Sequence, residues 1–566
     1  MGTVNVYRAQ QPWPERAFLA HWGRSEPWRA LALRQRRRLL CLAASSCHAG
    51  SLDTALAHCG CTLPPELMTA AAAAGNAAGC ERLLAAGCKV GWHGVITAAA
   101  EAGHLPVLQL LFGNIICADT PNFLRQAARG ACAGGHADIL AWLQQAHGWR
   151  PILDNAKDAA REGQVAMLEL LLPQPASAPA AAGAGYGDRF RRDHHALLWE
   201  PGAAAAAAGA AAFIDGDLDH PSLLADSRLG LLHAIIQGCP VEVLQRHYEP
   251  LSRGWMPAGP EERAAAAQPH AWAAWDTARG ERVAVLVFGY ILACALQSRM
   301  ACWRAKLDFL LSAWGPAVAA ALTQYVAVSE QAVVAATTND DCLQRLQWLR
   351  AHGFHFGAHT AECVAWRGNA EALAYLWDEC GVPGPMSSPD PAGVFLRGCS
   401  RTVSRYCQRD AGVKLRVLQL LAMRGAVLSA EHAAMAARCP GQEPMLLYLA
   451  EAAEPVTERG GDVWDQALLS AAQHGASLVT LRVLRQRRGA AVDLAAVACG
   501  GSEEALDWAA AELAAEGSVL QLLEEGEAAR VEAAGNTAAM DWLRGRGLLP
   551  PPPTRSRASS AAASQR

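Results

Sequence analysis

The chain has 566 residues, 52% of them hydrophobic and 18% charged, with a formal net charge of −4. That much apolar material can bury a large core, and the near-neutral balance excludes a global attraction to nucleic acid. Aromatic residues make up only 6% of the chain and β-branched runs are scarce, so the composition reads as all-helical. Lys89, Lys157, Lys306 and Lys414 are the only lysines. With the excess of Ala and Gly, this reads as GC-rich coding rather than as selection for phosphate binding.

Residues 1–38 read as an N-terminal segment or cap, in which Trp13, Phe18, Trp22 and Trp28 supply apolar surface. No basic-then-apolar leader opens the sequence, and Val6 stands where a myristoylation signal needs Ser or Thr. Arg34, Arg36, Arg37 and Arg38 form one dense basic patch. It is read as the solvated first turn of the first repeat helix, with a nuclear-import or acidic-partner patch as the alternative.

From residue 39 to 172 a phrase returns, and it recurs further along the chain. One copy runs Ala99-Ala100-Glu-Ala-Gly103-His104 and continues to Leu108, Leu110 and Leu111. Others turn on Gly135-His136 and Gly163-Gln164. Counted from the turn glycine, offset +5 is Leu108, Leu140 or Leu168, and offset +8 is Leu83, Leu111, Leu143 or Leu171. Offset +7 is Leu110, Trp142 or Leu170. Positions three, four and seven apart share one helix face, so the phrase predicts a short helix with an apolar stripe. Small residues before the glycine predict a second helix lying close against its neighbour. The glycine ends that helix by adopting the left-handed conformation. A second glycine (Gly87, Gly113, Gly148, Gly353, Gly381 or Gly547) closes the unit. Turn glycines at 50, 75, 103, 135 and 163 are separated by 25, 28, 32 and 28 residues. A period near 30 predicts stacked helix pairs.

Residues 173–212 are rich in Pro and Ala and read as an insertion. Residues 213–382 form a divergent second array, with copies at Gly238, Asp341 and Gly368. The apolar run Val283–Leu296 is too short to span a bilayer, which needs ~20 residues, and reads as a buried helix. Residues 250–270 and 383–414 read as loops, the second with coil at 383–393. A third array covers 415–549, with copies at Gly475, Gly501 and Gly535, and 550–566 reads as a disordered tail. The 18 cysteines replace Ala or Leu in the phrase and read as small buried hydrophobes. Unpatterned Cys in a long chain fits a reducing compartment.

The pattern Ala-Ala-x-x-Gly-His-x-x-x-Leu-x-x-Leu with a trailing Gly resembles the ankyrin repeat. The form with Trp before the last Leu resembles the divergent ankyrin arrays of protists, green algae and large viruses. The match covers 39–172, 333–380 and 465–547. It departs from the family in lacking the Thr-Pro-Leu-His opening, whose Thr and His tie neighbouring units. Tetratricopeptide and HEAT-like solenoids have longer repeats. The expected fold is therefore an all-α solenoid of about ten or more ankyrin-like helix pairs, given a period of ~30 residues, interrupted by low-complexity insertions.

Two clusters carry metal-ligand residue types. His352, His355 and His359 are interrupted by Gly353 and Gly357. His58-Cys59-Gly60-Cys61 has no matching second pair. Both read as structural, and neither metal, cofactor nor catalytic residue is expected. The polar residue after each turn glycine (Asn76, His104, His136, Gln164, Asn369, Ser502, Asn536) reads as a group that bonds the turn backbone. Gly183-Ala-Gly185-Tyr-Gly187 has no preceding strand and is discounted as a dinucleotide loop.

Such arrays bind through loop tips and the concave helix face. The resemblance implies a non-catalytic protein-interaction scaffold whose partner is another protein, with no nucleic acid and no membrane insertion, in the cytoplasm or the nucleus. Trp92, His93, Trp149, Arg150, Phe354 and His355 are the expected contact residues, since exposed aromatics and Arg make good anchors. A substrate-recognition adaptor of the F-box type is the alternative, with residues 1–38 as a capping remnant. An enzyme of unrecognised type is the third reading.

Overall fold

Small residues at the crossings and leucines at fixed offsets produce the same local result throughout: two short antiparallel helices joined by a turn. The computed structural model describes residues 7–89, 91–114, 120–172, 227–252, 280–324, 326–383, 390–401, 411–439, 441, 443–454 and 461–550. Within them every regular element is helical. The insertion 173–212, the tail from 551, most of the 250–270 loop and the Gly183–Gly187 motif lie outside the described residues.

The helix pairs follow the phrase. Pro65–Ala73 is followed by Ala77–Ala85, Trp92–Glu101 by Leu105–Asn114, Thr120–Gly134 by Ala137–His147, and Leu153–Arg161 by Val165–Leu171. Leu108, Leu168, Leu346, Leu373 and Leu506 at offset +5 are fully buried, as are Leu83, Leu111, Leu143, Leu349, Leu376 and Leu543 at offset +8. Burying such a side chain contributes roughly 1.5–3 kcal/mol, so these two positions carry the stack. Offset +7 lies at the margin of the stripe. Leu170 there is 52% exposed, Trp142 is half-buried, and Trp348, Tyr375, Trp508 and Trp542 are covered.

Gly75, Gly103, Gly135, Gly163, Gly368, Gly475 and Gly535 all take positive φ, between 73° and 83°. Four expected glycines do not behave this way, and one of them, Gly238, ends the helix Ser227–Gly238 without a positive φ. Gly113 lies inside the helix Leu105–Asn114, and Gly501 is extended, with φ −77° and ψ −179°. Gly50 lies in the first turn of the helix Ala49–His58, and the left-handed residue of that unit is Cys47, at φ 62°. Counted from Cys47, offsets +5 and +8 are Leu52 and Ala55, both fully buried. The first step is then 28 residues (75 − 47) instead of 25, which removes the irregularity in the spacing.

The chain forms two compact units. The first comprises residues 1–10, 44–47 and 65–426. In it the first helices stack in sequence, with Trp92–Glu101 between Pro65–Ala73 and Thr120–Gly134, and Leu153–Arg161 between Thr120–Gly134 and Ser227–Gly238. The apolar run 283–296 falls in the helix Gly280–Leu296, where Phe288 and the residues from Ile291 to Leu296 are buried. No single described helix is long and apolar enough to cross a membrane. The expected loop 383–414 contains a helix, Pro391–Arg401, followed by Ala411–Met423. Val417, Leu418 and Leu421 of the latter are fully buried, so this pair repeats the leucine stripe.

The second unit joins residues 11–43 and 48–64 to 427–566. Its C-terminal part stacks Ala430–Ala437, Gly461–Gln473, Leu494–Gly500 and Glu525–Ala534 in order, each with its second helix. The first pair turns at Gly441, with φ 82°. Pro440 and the broken Ala run hide this copy in the sequence, although Leu446 and Leu449 stand at offsets +5 and +8 and are buried. Backbone hydrogen bonds from Thr62 N to Gly535 O and from Ala538 N to Gly60 O, both 2.9 Å, attach the segment after Ala49–His58 to the last helix pair.

Candidate interaction surface

Each unit has two edges, and the residues at them do different work. At the turn edge, the polar residue after the glycine serves two masters. Asn76 accepts from Gly79 N with Oδ1 (2.8 Å) and donates from Nδ2 to Ala44 O of the preceding helix (2.8 Å). Asn536 accepts from Ala539 N and donates to Ala498 O (2.9 Å) and Gly501 O (3.1 Å). His136 Nε2 bonds Glu101 O at 3.1 Å. Asn76 and Asn536 therefore cap their own second helix and tie their unit to the previous one, and His136 makes the tie without the cap, where the sequence suggested only a bond to the local turn.

The same edge takes buried cations at Lys306 and Arg345. Lys306, fully buried, donates to Ile236 O (2.7 Å) and Ser298 Oγ (2.8 Å). Burial pulls its pKa down to about 8. Arg345 donates to Leu296 O and Ser298 O and pairs with Asp341. Both cations meet carbonyls at helix C-termini, where the helix dipole is negative.

The basic patch at 34–38 belongs to this pattern at Arg36, a correction to both readings there. Arg36 is 2% exposed and donates to Gly60 O (3.0 Å), Gly501 O (3.3 Å) and Asn536 Oδ1 (2.8 Å). Arg37 donates to Ala534 O at 2.6 Å. Arg34 lies over Gly441, where an added Cβ would come within 2.9 Å of its Nη1. The helix Leu33–Ser45 thus runs along a row of turns in the second unit: Arg34 and Arg38 are exposed, as the solvated reading has it, whereas Arg36 is buried and engaged. Ahead of it, Trp13, Phe18, Trp22 and Trp28 form a chain of ring contacts with centroids 5.2–6.4 Å apart, with Phe18 and Trp28 buried.

At the opposite edge lie the loops that follow the second helices, and here the glycine imposes an alternation. The residue after the glycine donates its N–H back to the carbonyl five or six positions earlier. Cys88 N bonds Leu83 O, Trp149 N bonds Leu143 O, Phe354 N bonds Leu349 O, Ala426 N bonds Leu421 O, and Leu548 N bonds Leu543 O. This is the Schellman arrangement, which folds that residue's side chain against the last helical turn. Cys88, Phe354, Val382, Ala426, Ala490 and Leu548 are accordingly buried. The next residue points outward: Lys89, Arg150, His355, Pro383 and Ala491 are exposed, and Val427 is 60% exposed.

This alternation separates the expected contact residues. Arg150 and His355 are exposed loop residues and Trp149 is half-buried beside Arg150. Phe354, at 4% exposure, is a plug in the core and not a contact residue. Trp92 and His93 open the helix Trp92–Glu101 instead of lying in a loop. The Trp92 side chain lies outside what is described. His93 is exposed, bonded to Asn122 at 2.7 Å and stacked edge-on against Phe123. Sequence reasoning missed Lys89 and Val427, which the phrase itself could have found by counting two from the closing glycine.

The three clustered histidines have separate surroundings. His352 stacks on Trp348 (3.8 Å between centroids) and bonds Trp348 O at 2.8 Å. His355 is in the loop, and His359, on the next helix, lies beside Cys363 and Glu362. Among the described residues, no group of three or more His, Cys, Asp or Glu is placed to hold a metal ion.

No family model matches the chain, and no curated protein matches it. A solved structure, that of the pentatricopeptide repeat protein PPR10 from maize, aligns with 90% of this chain and 78% of that chain at 13% identity, with a TM-score of 0.20.

Proposed function

We propose that the protein is a non-catalytic scaffold of ankyrin-like repeats that binds another protein along the loop edge of its helix pairs. The observation that carries this reading is the alternation after the closing glycines. One residue of each loop is consumed in holding the unit together, and the next is left outward and free to vary in chemistry. In the first unit that outward position is basic or imidazole-bearing at Lys89, Arg150 and His355. Stacked repeats present such a row at regular spacing, which suits an extended partner segment. Arginine and a neighbouring aromatic, here Arg150 and Trp149, form a typical anchor. The cationic row favours an acidic partner. We place the protein in a reducing compartment, the cytoplasm or the nucleus, because the described cysteines are free thiols used mostly as core residues.

The test is affinity capture with the wild type and with a Lys89→Ala, Arg150→Ala, His355→Ala triple variant. Proteins retained by the wild type and lost by the variant, with thermal unfolding unchanged, support the reading. Equal retention by both removes the loop edge as the binding surface. The F-box alternative gains nothing from the N-terminal helices, since Arg36 and Arg37 engage them with the repeats of their own unit.

A further inference from the structure

Between the closing glycine and the next first helix, the loops 88–91, 149–152, 354–357, 426–429 and 490–493 each have four residues. The loop after Gly517 has seven, 518–524. It begins in the usual way, with Ser518 N donating to Leu513 O at 3.0 Å, and it is tied again where Leu523 N donates to Leu548 O at 2.9 Å. Leu523 is buried at that second tie. Between the ties stand Val519 and Leu522, which are 83% and 53% exposed. Two large apolar side chains held in water on a segment pinned at both ends mark a contact surface. Its surroundings are negative. From Glu503 to Arg546 the chain carries ten acidic and three basic residues. Glu524 and Glu525, directly after the loop's apolar residues, are exposed and make no ion pair among the described residues. The cations of this region are engaged: Arg485 by Glu512 and Glu516, Arg530 by Glu527, Arg544 by Asp541 and Arg546 by Asp507.

The first unit carries the complement on its own second helices and loop edge. Phe112, Trp142 and His147 close a triangle across two helix pairs, with ring centroids 5.0–5.5 Å apart. Phe112 and Trp142 are half-buried and His147 is exposed. One unit further on, Leu170 stands at the offset of Trp142 and is 52% exposed. Arg150, three residues past His147, is exposed and makes no ion pair among the described residues. The acids closest in the chain are already paired, Asp154 with Lys157 at 3.1 Å and Glu169 with Arg246 at 2.7 Å. Aromatic and aliphatic ground is thus bordered by an unopposed guanidinium.

We propose that the 518–524 loop of one copy docks on this edge of a second copy. Val519 and Leu522 seat on Trp142 and Leu170, and Glu524 and Glu525 face Arg150. The spacing fits. Three residues of extended chain cover up to about 10 Å, and packed helices lie ~8–10 Å apart, so the two apolar side chains reach successive units. The proposal rests on the loop edge being the binding surface and makes the acidic partner a second copy of the chain. Loop and edge are different surfaces, so the contact is head-to-tail. Each end copy keeps one loop or one edge free, and association runs on into a ring or a chain.

The experiment is sedimentation velocity of the full chain across increasing concentration. The average mass of the wild type should rise with concentration and fall back when salt is raised. Two variants separate the halves of the contact. Val519→Asp with Leu522→Asp removes the loop, and Arg150→Glu with Leu170→Asp removes the edge. All four positions are exposed, so thermal unfolding should match the wild type. Each variant alone should stay monomeric. Their equimolar mixture should form a dimer and nothing larger, because one still offers an edge and the other a loop. A wild type that stays monomeric overturns the self-docking and leaves the loop-edge reading itself to the capture experiment. Association retained by either variant alone, or a mixture that stays monomeric, overturns it as well.

Discussion

The imidazole of His136 fills the space that a side chain at position 103 would occupy. A Cβ built on Gly103 would overlap the ring, and Gly103 itself sits at φ 80°. Gly75 stands in the same relation to His104, with 2.7 Å between an added Cβ and the nearer ring atoms, and Gly135 stands so to Gln164. The turn glycine therefore answers two demands, one from its own backbone and one from the next unit's side chain.

Gly103→Ala should consequently cost more than Gly87→Ala. Gly87 has φ 75° but nothing within 4 Å of an added Cβ. Its substitution carries only the left-handed penalty of about 1–2 kcal/mol. Gly103→Ala adds overpacking against His136, worth a further ~1–3 kcal/mol. Urea unfolding of the two variants measures the difference, and equal losses would show that His136 moves aside freely.

Trp142 and Leu143 offer a second comparison. Leu143 is fully buried, while Trp142 is half-buried, with Phe112 5.5 Å away on the preceding unit and His147 on its own helix. Leu143→Ala should cost about 2–5 kcal/mol. Trp142→Ala, at the margin of the stripe, should cost about 1–2 kcal/mol, chiefly aromatic contact and partial burial. Thermal unfolding that ranks Trp142→Ala as the more damaging would place the stacking interface on the +7 edge instead.

Arg36→Ala should loosen the second unit far more than its surface neighbours suggest. The side chain satisfies Gly60 O, Gly501 O and Asn536 Oδ1 at once. Its loss removes three hydrogen bonds, on the order of 1 kcal/mol each, from acceptors that each keep one other donor, Ala538 N, Asn536 Nδ2 and Ala539 N. Hydrogen exchange should quicken at the backbone amides of Thr62 and Ala538, whose bonds join the same turn. Unchanged protection there would mean that the arginine is not what holds the segments together.

Acid sensitivity should arise in part from His233. Burial, and then the Arg161 charge, pull its pKa from 6.5 to about 4, and its Nδ1 bonds the Tyr290 hydroxyl at 2.7 Å. The folded pKa lies below the unfolded one, so the unfolded chain binds the proton more readily. The stability held by neutral His233 is present above pH 6.5 and is lost as pH falls from there towards 4. The full loss is on the order of 3 kcal/mol. A His233→Phe variant should show a flatter stability profile across that window. A profile of unchanged slope would assign the acid response elsewhere.

Leucine spacing made the helix pairs legible because offsets +5 and +8 must face the neighbouring unit whatever else changes. Position 47 was illegible for the opposite reason. A left-handed cysteine gives no signal of its kind, and the nearby Gly50 drew the turn three residues too far. Phe354 looked like a contact because a large aromatic in a loop suggests exposure, yet the Schellman bond from its N–H dictates burial. Arg36 and Arg37 could not be placed by local pattern, since Gly501, Ala534 and Asn536, which they bind, are hundreds of residues away.

That distance has a bearing on how the molecule is made. Arg36 and Asn536 are separated by 500 residues. During synthesis the helix Leu33–Ser45, which carries Arg36 and Arg37, is made long before the last repeats that those side chains bind. A linear array can fold unit by unit as it leaves the ribosome, because each repeat needs only its neighbour. The second unit cannot, since its closure is non-local and therefore slow. A C-terminal truncation should leave Arg36 and Arg37 without their partners Gly501, Ala534 and Asn536.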